Sequence, residues 1–436
     1  MADRIANTNG TTARKRKTHR KSRLGCGNCK IRSVKCDESK PTCRRCQASG
    51  FTCNYSSTGP TLQLSRSSVF RLSLAPTQAR SVTASASVSV DGLFREAYLQ
   101  PGLRIPIVLP LQGRLGEYAL RPEDHAALSR FYDRTACTLG TPTTRKGYLK
   151  VLYSLVDEHV FLIHVLLAIT LLHDAHLSPT PLPSSHDLSL AFHWYHGTAI
   201  LKHFLALPSP ATSLSSTHRD ALWVCASILG ATSFASVRTQ DPLAAWPLAD
   251  PNPAVDLDWL KMGYGKKVVW DIADPSRPES VFHKTLYNTP MQQTFDTEAP
   301  VSEGILPPPL YSFFNLSPSI GASTVSEDAK SYHSACVILS ILWATKINEH
   351  NAILFLAFIT HIDPNYRSLI ENKDHRALLL LLYWHCLVVP LESWWMRRRC
   401  VVEAKAICMY LDKNCADDEA FIELLELPKQ VLANAH

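Results

Sequence analysis

From about residue 115 onward, apolar side chains recur with a helical period, and proline-rich stretches interrupt them. The pattern predicts helices over Glu123–Cys137, Glu158–His176, Asp187–Leu205, Arg219–Phe234, Glu327–Asn348, Ala352–Thr360, Asp374–Val389 and Ser393–Leu411. Pro122 stands where a first helical turn accepts proline. Glu158–His176 is apolar on most sides, which predicts a central helix. Ser184-Ser185 and Ser216-Thr217 are the cap candidates for the next two. The chain turns at Asp241–Pro253 and Gly304–Pro318, and no solenoid repeat is visible. No run of alternating residues predicts strands, so the region reads as mainly all-α. The acidic-apolar tail Asp417–Leu427 reads as its last helix, because Phe421, Leu424 and Leu425 fall on one face. An activation segment is the other reading of that tail.

Upstream the pattern is different. Residues 1–25 form a polar, basic tail containing the run Arg14–Arg23. Residues 26–55 read as a small metal-stabilised domain with two short helices, residues 56–114 as a flexible linker rich in Ser, Thr and Ala, and residues 115–436 as the helical domain.

Charge sharpens this division. The chain of 436 residues carries a formal +7, but residues 1–60 hold fourteen Lys and Arg against three acids. The head is therefore near +11 and the remainder near −4, which points to a polyanion partner at one end only. Met1–Gly10 lacks the apolar run of a signal peptide, and Val160–Leu172 is too short and too interrupted by His164 to span a bilayer. The expected setting is intracellular and reducing, where clustered thiols bind metal rather than form disulfides.

Six of the 13 cysteines are clustered as Cys26-x2-Cys29-x6-Cys36-x6-Cys43-x2-Cys46-x6-Cys53. This is one half-unit written twice. Each C-x2-C pair starts a short helix and puts two thiolates on one zinc, and the third thiolate closes from beyond the helix. Two tetrahedral zinc ions need eight positions, so two of the six cysteines must bridge. The pseudo-symmetric choice is Cys26 and Cys43. So short and polar a segment has almost no apolar core, and metal binding must supply its folding free energy. The other cysteines, Cys137, Cys225, Cys336, Cys386, Cys400, Cys408 and Cys415, form no such pair and read as small core residues.

Cys26–Cys53 resembles the fungal binuclear zinc cluster, the Zn(2)-Cys(6) transcription factors. Lys21–Cys26, Lys35–Glu38 and Lys40–Cys43 look like the subgroup that includes the sterol uptake control proteins. The resemblance implies the same bridging pair, a turn proline at Pro41, a nuclear protein that binds duplex DNA and the transcription machinery, and regulation of RNA polymerase II genes. It implies that the first helix enters the major groove and reads a CGG-type triplet. On that helix Lys30, Arg32, Ser33 and Lys35 are the candidate contacts, with Arg20, Lys21 and Arg23 on phosphates. Arg and Lys suit guanine because O6 and N7 present two adjacent acceptors. The family usually has a second basic residue where this chain has Ser33, a departure that bears on the CGG preference and not on the DNA binding itself. The basic run reads as a nuclear localisation signal, a phosphate contact, or both.

Val160–Leu177, Asp256–Lys267, Asp271–Phe282 and Ala377–Trp395 look like the subgroup's helical regulatory domain, which implies a small apolar, sterol-like or metabolite ligand. The stripes Leu378–Trp384 and Trp394-Trp395 read first as plain core. No HExxH, GxSxG or GxGxxG is present, and the chain is read as a non-enzyme. Gly263–Lys267 imitates a phosphate loop, but Leu260 and Lys267 break its pattern. His159 and His173, like His193 and His196, read as ordinary core or surface histidines. A zinc-stabilised interaction scaffold is the runner-up function. No sustained heptad follows the cluster, and the oligomeric state is left open.

Overall fold

The computed structural model describes residues 24–26, 35–40, 43–44, 102–109, 114–142, 145–249, 257–283, 299–316, 327–362 and 364–435. The chain divides into two compact units, residues 1–85 and 86–436. The basic tail and most of the stretch read as linker lie outside the described residues, as do Cys29, Cys46 and Cys53.

The second unit is mainly helical and opens on a two-stranded antiparallel hairpin, β1 (Arg104–Val108) and β2 (Leu115–Ala119). The hairpin corrects the expectation of no strands. In β1, Ile105 and Ile107 are buried while Arg104 is exposed, so the period of two is present but short. Pro106 disguises it, because proline reads as a breaker and is tolerated only at an edge. β1 also lies inside the stretch read as linker, so ordered chain begins before residue 115.

Helices follow: α1 (Pro122–Asp133), α2 (Arg145–Glu158), α3 (Leu162–Leu177), α4 (Ser184–Leu205), α5 (Pro210–Ser213), α6 (Ser216–Ala235) and α7 (Asp258–Ala273). The second group is α8 (Pro308–Phe313), α9 (Glu327–Ala344), α10 (Ala357–His361), α11 (Pro364–Glu371), α12 (His375–Val388), α13 (Trp394–Asn414) and α14 (Glu419–Ala433). The central helix expected over Glu158–His176 is α3, and its residues from Leu162 to Leu171 are all buried. It packs against α1, α4 and α6. The approach to α4 is so close that a Cβ at Gly197 would meet Val165 Cγ1 at 2.8 Å. α12 is equally enclosed from Ala377 to Cys386, between α9, α13 and α14. The stripe Leu378–Trp384 is therefore core.

Other expectations shift in detail. Ser184 and Ser185 lie inside α4, whose N-cap is Pro183. α6 is capped one residue earlier than expected, by Ser215, whose hydroxyl accepts from the His218 amide at 3.1 Å. Ala352–Leu356 is a 3-10 turn leading into α10. Gly263–Lys267 lies within α7, and a helical backbone cannot cradle a phosphate there. The tail forms α14, with Phe421, Leu424 and Leu425 buried as expected. Of the seven isolated cysteines, all but Cys137 are buried. Burial pushes the thiols of Cys225, Cys336, Cys386 and Cys400 well above the ordinary value and Cys408 up to about 11, so they are inert.

A chain of buried polar groups ties the hairpin to the helices. His164 on α3 donates from Nε2 to the Pro106 carbonyl (2.9 Å), which leaves its Nδ1 to accept from His193 Nδ1 (2.9 Å) on α4. His193 Nε2 faces Asp124 Oδ1 at 3.3 Å, and Tyr118 of β2 donates its hydroxyl to Asp124 Oδ2 at 2.6 Å. The Val108 amide donates to His196 Nδ1 (3.3 Å). Burial alone would raise the Asp124 pKa, but hydrogen bonds from His193, Tyr118 and the Arg121 amide hold it well below the usual carboxylate range. Burial, and then the neighbouring His193, push His164 well below the ordinary histidine value.

These histidines predict a pH dependence. Burial pushes His196, His173 and His218 down to about 4, and burial together with the Arg399 charge pushes His385 down to about 3. In the unfolded chain they titrate near 6.5. The unfolded state therefore binds more protons once the pH drops below about 6.5, and stability falls as the pH goes from there towards 4. Thermal melts should show a steady loss between pH 7 and 4.5, flattened in His385→Leu. A melting temperature constant over that range contradicts the assignment.

Candidate zinc centre

In the first unit the sulfurs of Cys26, Cys36 and Cys43 converge. Cys26 Sγ lies 3.8 Å from Cys43 Sγ and 3.9 Å from Cys36 Sγ, and all three sit within 4.8 Å of one another. They are 1%, 4% and 0% exposed, in a segment otherwise rich in charge. A disulfide needs about 2.05 Å between sulfurs, so these are separate thiols. A tetrahedral zinc with Zn–S near 2.3 Å sets its sulfurs about 3.8 Å apart, and the observed spacings match that edge. Three buried soft donors, two of their separations at the tetrahedral edge, fit zinc.

Local backbone holds the thiols in place. The Glu38 amide donates to Cys36 Sγ at 3.4 Å, a bond that favours the thiolate. Glu38 takes a left-handed backbone conformation (φ 58°) that turns the chain back after the first half-unit. Asp37 Oδ2 accepts from the Ser39 hydroxyl (2.6 Å) and from the Arg44 amide (3.1 Å). Arg44 is helical and follows Cys43, so Asp37 braces the start of the second half-unit from the end of the first. Sequence reading missed this role; its signal was an Asp directly after the third cysteine.

Among the expected DNA contacts, Lys35 is described and is exposed. Arg20, Lys21, Arg23, Lys30, Arg32 and Ser33 lie outside the described residues, as does Pro41. Lys40 and Arg44 add exposed positive side chains near the thiols. No helix among the described residues is long and apolar enough to cross a membrane.

Residues 24–60 match the fungal Zn(2)-Cys(6) binuclear cluster domain, which places the site in a class of zinc-binding modules. The chain is similar to Sterol uptake control protein 2 of Saccharomyces cerevisiae, 56% identical over 45 residues, which cover 10% of this chain and 5% of that protein. It is also similar to the Zn(2)-C6 fungal-type transcription factor afumD of Aspergillus fumigatus, 58% identical over 40 residues (9% of this chain, 11% of the relative). Transcriptional regulatory protein pro1 of Neurospora crassa is 44% identical over 50 residues, 12% of this chain and 7% of the relative. The matched stretch thus spans about a tenth or less of each relative's length. No solved structure matches the chain.

Proposed function

We propose that the chain is a nuclear, sequence-specific DNA-binding regulator of RNA polymerase II genes. Its DNA-binding domain holds two zinc ions through Cys26, Cys29, Cys36, Cys43, Cys46 and Cys53, with Cys26 and Cys43 bridging. The observation that carries this reading is the position of Cys43. By sequence it opens the second half-unit, yet its sulfur lies with Cys26 and Cys36 of the first. A thiolate shared between two metals must sit there.

Six thiolates against two Zn²⁺ leave about −2, which part of the surrounding basic charge offsets. The rest is available to DNA. The first helix, carrying Lys30, Arg32, Ser33 and Lys35, lies in the major groove in this reading. Arg32 takes the two acceptors of a guanine in a CGG-type triplet. Arg20, Lys21 and Arg23 contact phosphates and fix the register. The helical unit is then the regulatory domain, with the transcription machinery or a small ligand as its partner.

Fluorescence anisotropy on duplex DNA tests the interface. Arg32→Ala should cost about 1–3 kcal/mol and relax sequence preference. Neutralising Arg20, Lys21 and Arg23 should weaken all sequences alike and flatten the salt dependence. Ser33→Lys restores a charged donor and should tighten binding to a CGG-containing duplex by roughly fivefold or more. Arg32→Ala binding with unchanged affinity and preference sinks the orientation of the helix. Weaker CGG binding by Ser33→Lys means that Ser33 makes its own contact to a different base.

A further inference from the structure

In the helical unit, two imidazoles and a carboxylate meet where α2 ends and α6 begins. Glu158 is the last residue of α2, His159 follows it, and His218 stands in the first turn of α6. We propose that His159, His218 and Glu158 bind a divalent ion of the zinc, cobalt or nickel type, with water completing its shell. The inference rests on the helical unit alone and is independent of the DNA-binding reading.

The His159 and His218 rings lie 4.5 Å apart, centre to centre, and are tilted by 59°. The Nε2 atom of each is buried and has no hydrogen-bond partner. His159 as a whole is 6% exposed, and a polar group so enclosed normally has one. Its Nε2 lies 3.7 Å from Glu158 Oε1, too far for a hydrogen bond. Thr217, beside His218, donates its hydroxyl to that same oxygen at 2.6 Å, the kind of outer contact that orients a ligating carboxylate. Phe161 and Phe204 wall the pair, with Phe204 4.4 Å from the His218 ring. Burial lowers the pKa of His159, and burial together with the neighbouring His159 pushes His218 down to about 4. Both rings are therefore neutral at pH 7, and each offers a lone pair.

The donor set selects the ligand. An anion would face the Glu158 carboxylate. Magnesium and calcium take oxygen donors and gain little from two imidazoles. Zinc-type ions favour imidazole nitrogen and accept a carboxylate beside it. Ligand atoms on one tetrahedral ion of that kind stand roughly 3.3 Å apart. The 3.7 Å from His159 Nε2 to Glu158 Oε1 is close to that edge. Gathering all three donors around one ion takes a turn of Glu158, whose side chain is 56% exposed. The same carboxylate offsets part of the ion's charge.

Titration of the full-length, zinc-loaded chain with cobalt(II) tests this, because cobalt reports its donors. Held by nitrogen and oxygen it absorbs weakly in the visible; held by thiolate it adds strong charge-transfer absorption in the near ultraviolet. One equivalent beyond the zinc already bound should saturate with the weak visible band alone. Glu158→Gln and His218→Ala should each weaken that binding by about tenfold or more. Glu158→Gln should leave the melting temperature without cobalt unchanged, because its side chain is exposed and the amide oxygen still accepts from Thr217. His159→Ala should weaken cobalt binding as well. If His159→Ala fails to fold, the other two variants decide the matter. Absence of a further saturable equivalent overturns the proposal. So does a thiolate charge-transfer band, which places the cobalt in the cysteine cluster, or unchanged affinity in either Glu158→Gln or His218→Ala.

Discussion

Cys26→Ala is expected to release both zinc ions from the full-length chain, whereas Cys36→Ala is expected to retain one. The contrast follows from the bridge. In the proposed arrangement Cys36 serves a single metal, so its loss opens one tetrahedron and leaves the other zinc with all four thiolates. In the same arrangement Cys26 serves two, and its loss would open both tetrahedra together. Its sulfur is 3.8 Å from that of Cys43 and 3.9 Å from that of Cys36, so no other described donor is placed to replace it. Structural zinc contributes about 10–16 kcal/mol per ion in small zinc domains near neutral pH. In so short and polar a segment, losing both ions should unfold the domain and abolish DNA binding. Native mass spectrometry counts the metals directly. A Cys26→Ala chain that still carries one zinc would falsify the bridging assignment.

Asp220→Ala should destabilise the helical unit by about 3–5 kcal/mol, the usual cost of stranding a buried charge. Asp220 stands in the first turns of α6 and is 1% exposed. Its carboxylate accepts from Arg277 (2.8 Å), from the Ser280 hydroxyl (2.8 Å) and from the Val281 amide (3.1 Å). Arg277 is itself 7% exposed and also donates to the Ser216 carbonyl at 2.6 Å. The pair thus fastens the segment after α7 onto the start of α6. Alanine leaves the buried Arg277 guanidinium without its counter-charge and takes an acceptor from the Ser280 hydroxyl and the Val281 amide. Replacing both charges together, as Asp220→Leu with Arg277→Met, should cost less than Asp220→Ala alone, because no buried ion is left unpaired. Urea denaturation at pH 7 measures both. A loss under about 1 kcal/mol in Asp220→Ala would mean that Arg277 finds another partner.

The zinc site was legible in the sequence because its geometry is written in short range. Spacing singled out Cys26 and Cys36, and ligand counting singled out Cys43, and these are the three whose sulfurs converge among the described residues. The long helices were legible because α3, α6, α9 and α12 carry long apolar stretches and α13 repeats apolar residues at helical spacing. α2 was missed because its buried positions, Leu152, Tyr153, Leu155 and Val156, are confined to its second half. The hairpin was missed because its inward residues number only Ile105 and Ile107, with a proline between them. The polar chain from Tyr118 through Asp124 and His193 to His164 could not be read at all. It joins residues 29 and 69 positions apart, and only the packing of α3 against α4 makes them neighbours. Asp220 and Arg277 are 57 positions apart and were hidden for the same reason.

The placement of the hairpin has a mechanical consequence. Tension arriving along the chain from its N-terminal side loads β1 before any described helix. Arg104 faces Ala119 at the open end of the ladder, so the load peels the strand rather than shearing it. Two catches lie along the way, His164 on the Pro106 carbonyl and then His196 on the Val108 amide. The strand should let go rung by rung, like a zip with two stops, the first anchored on α3 and the second on α4.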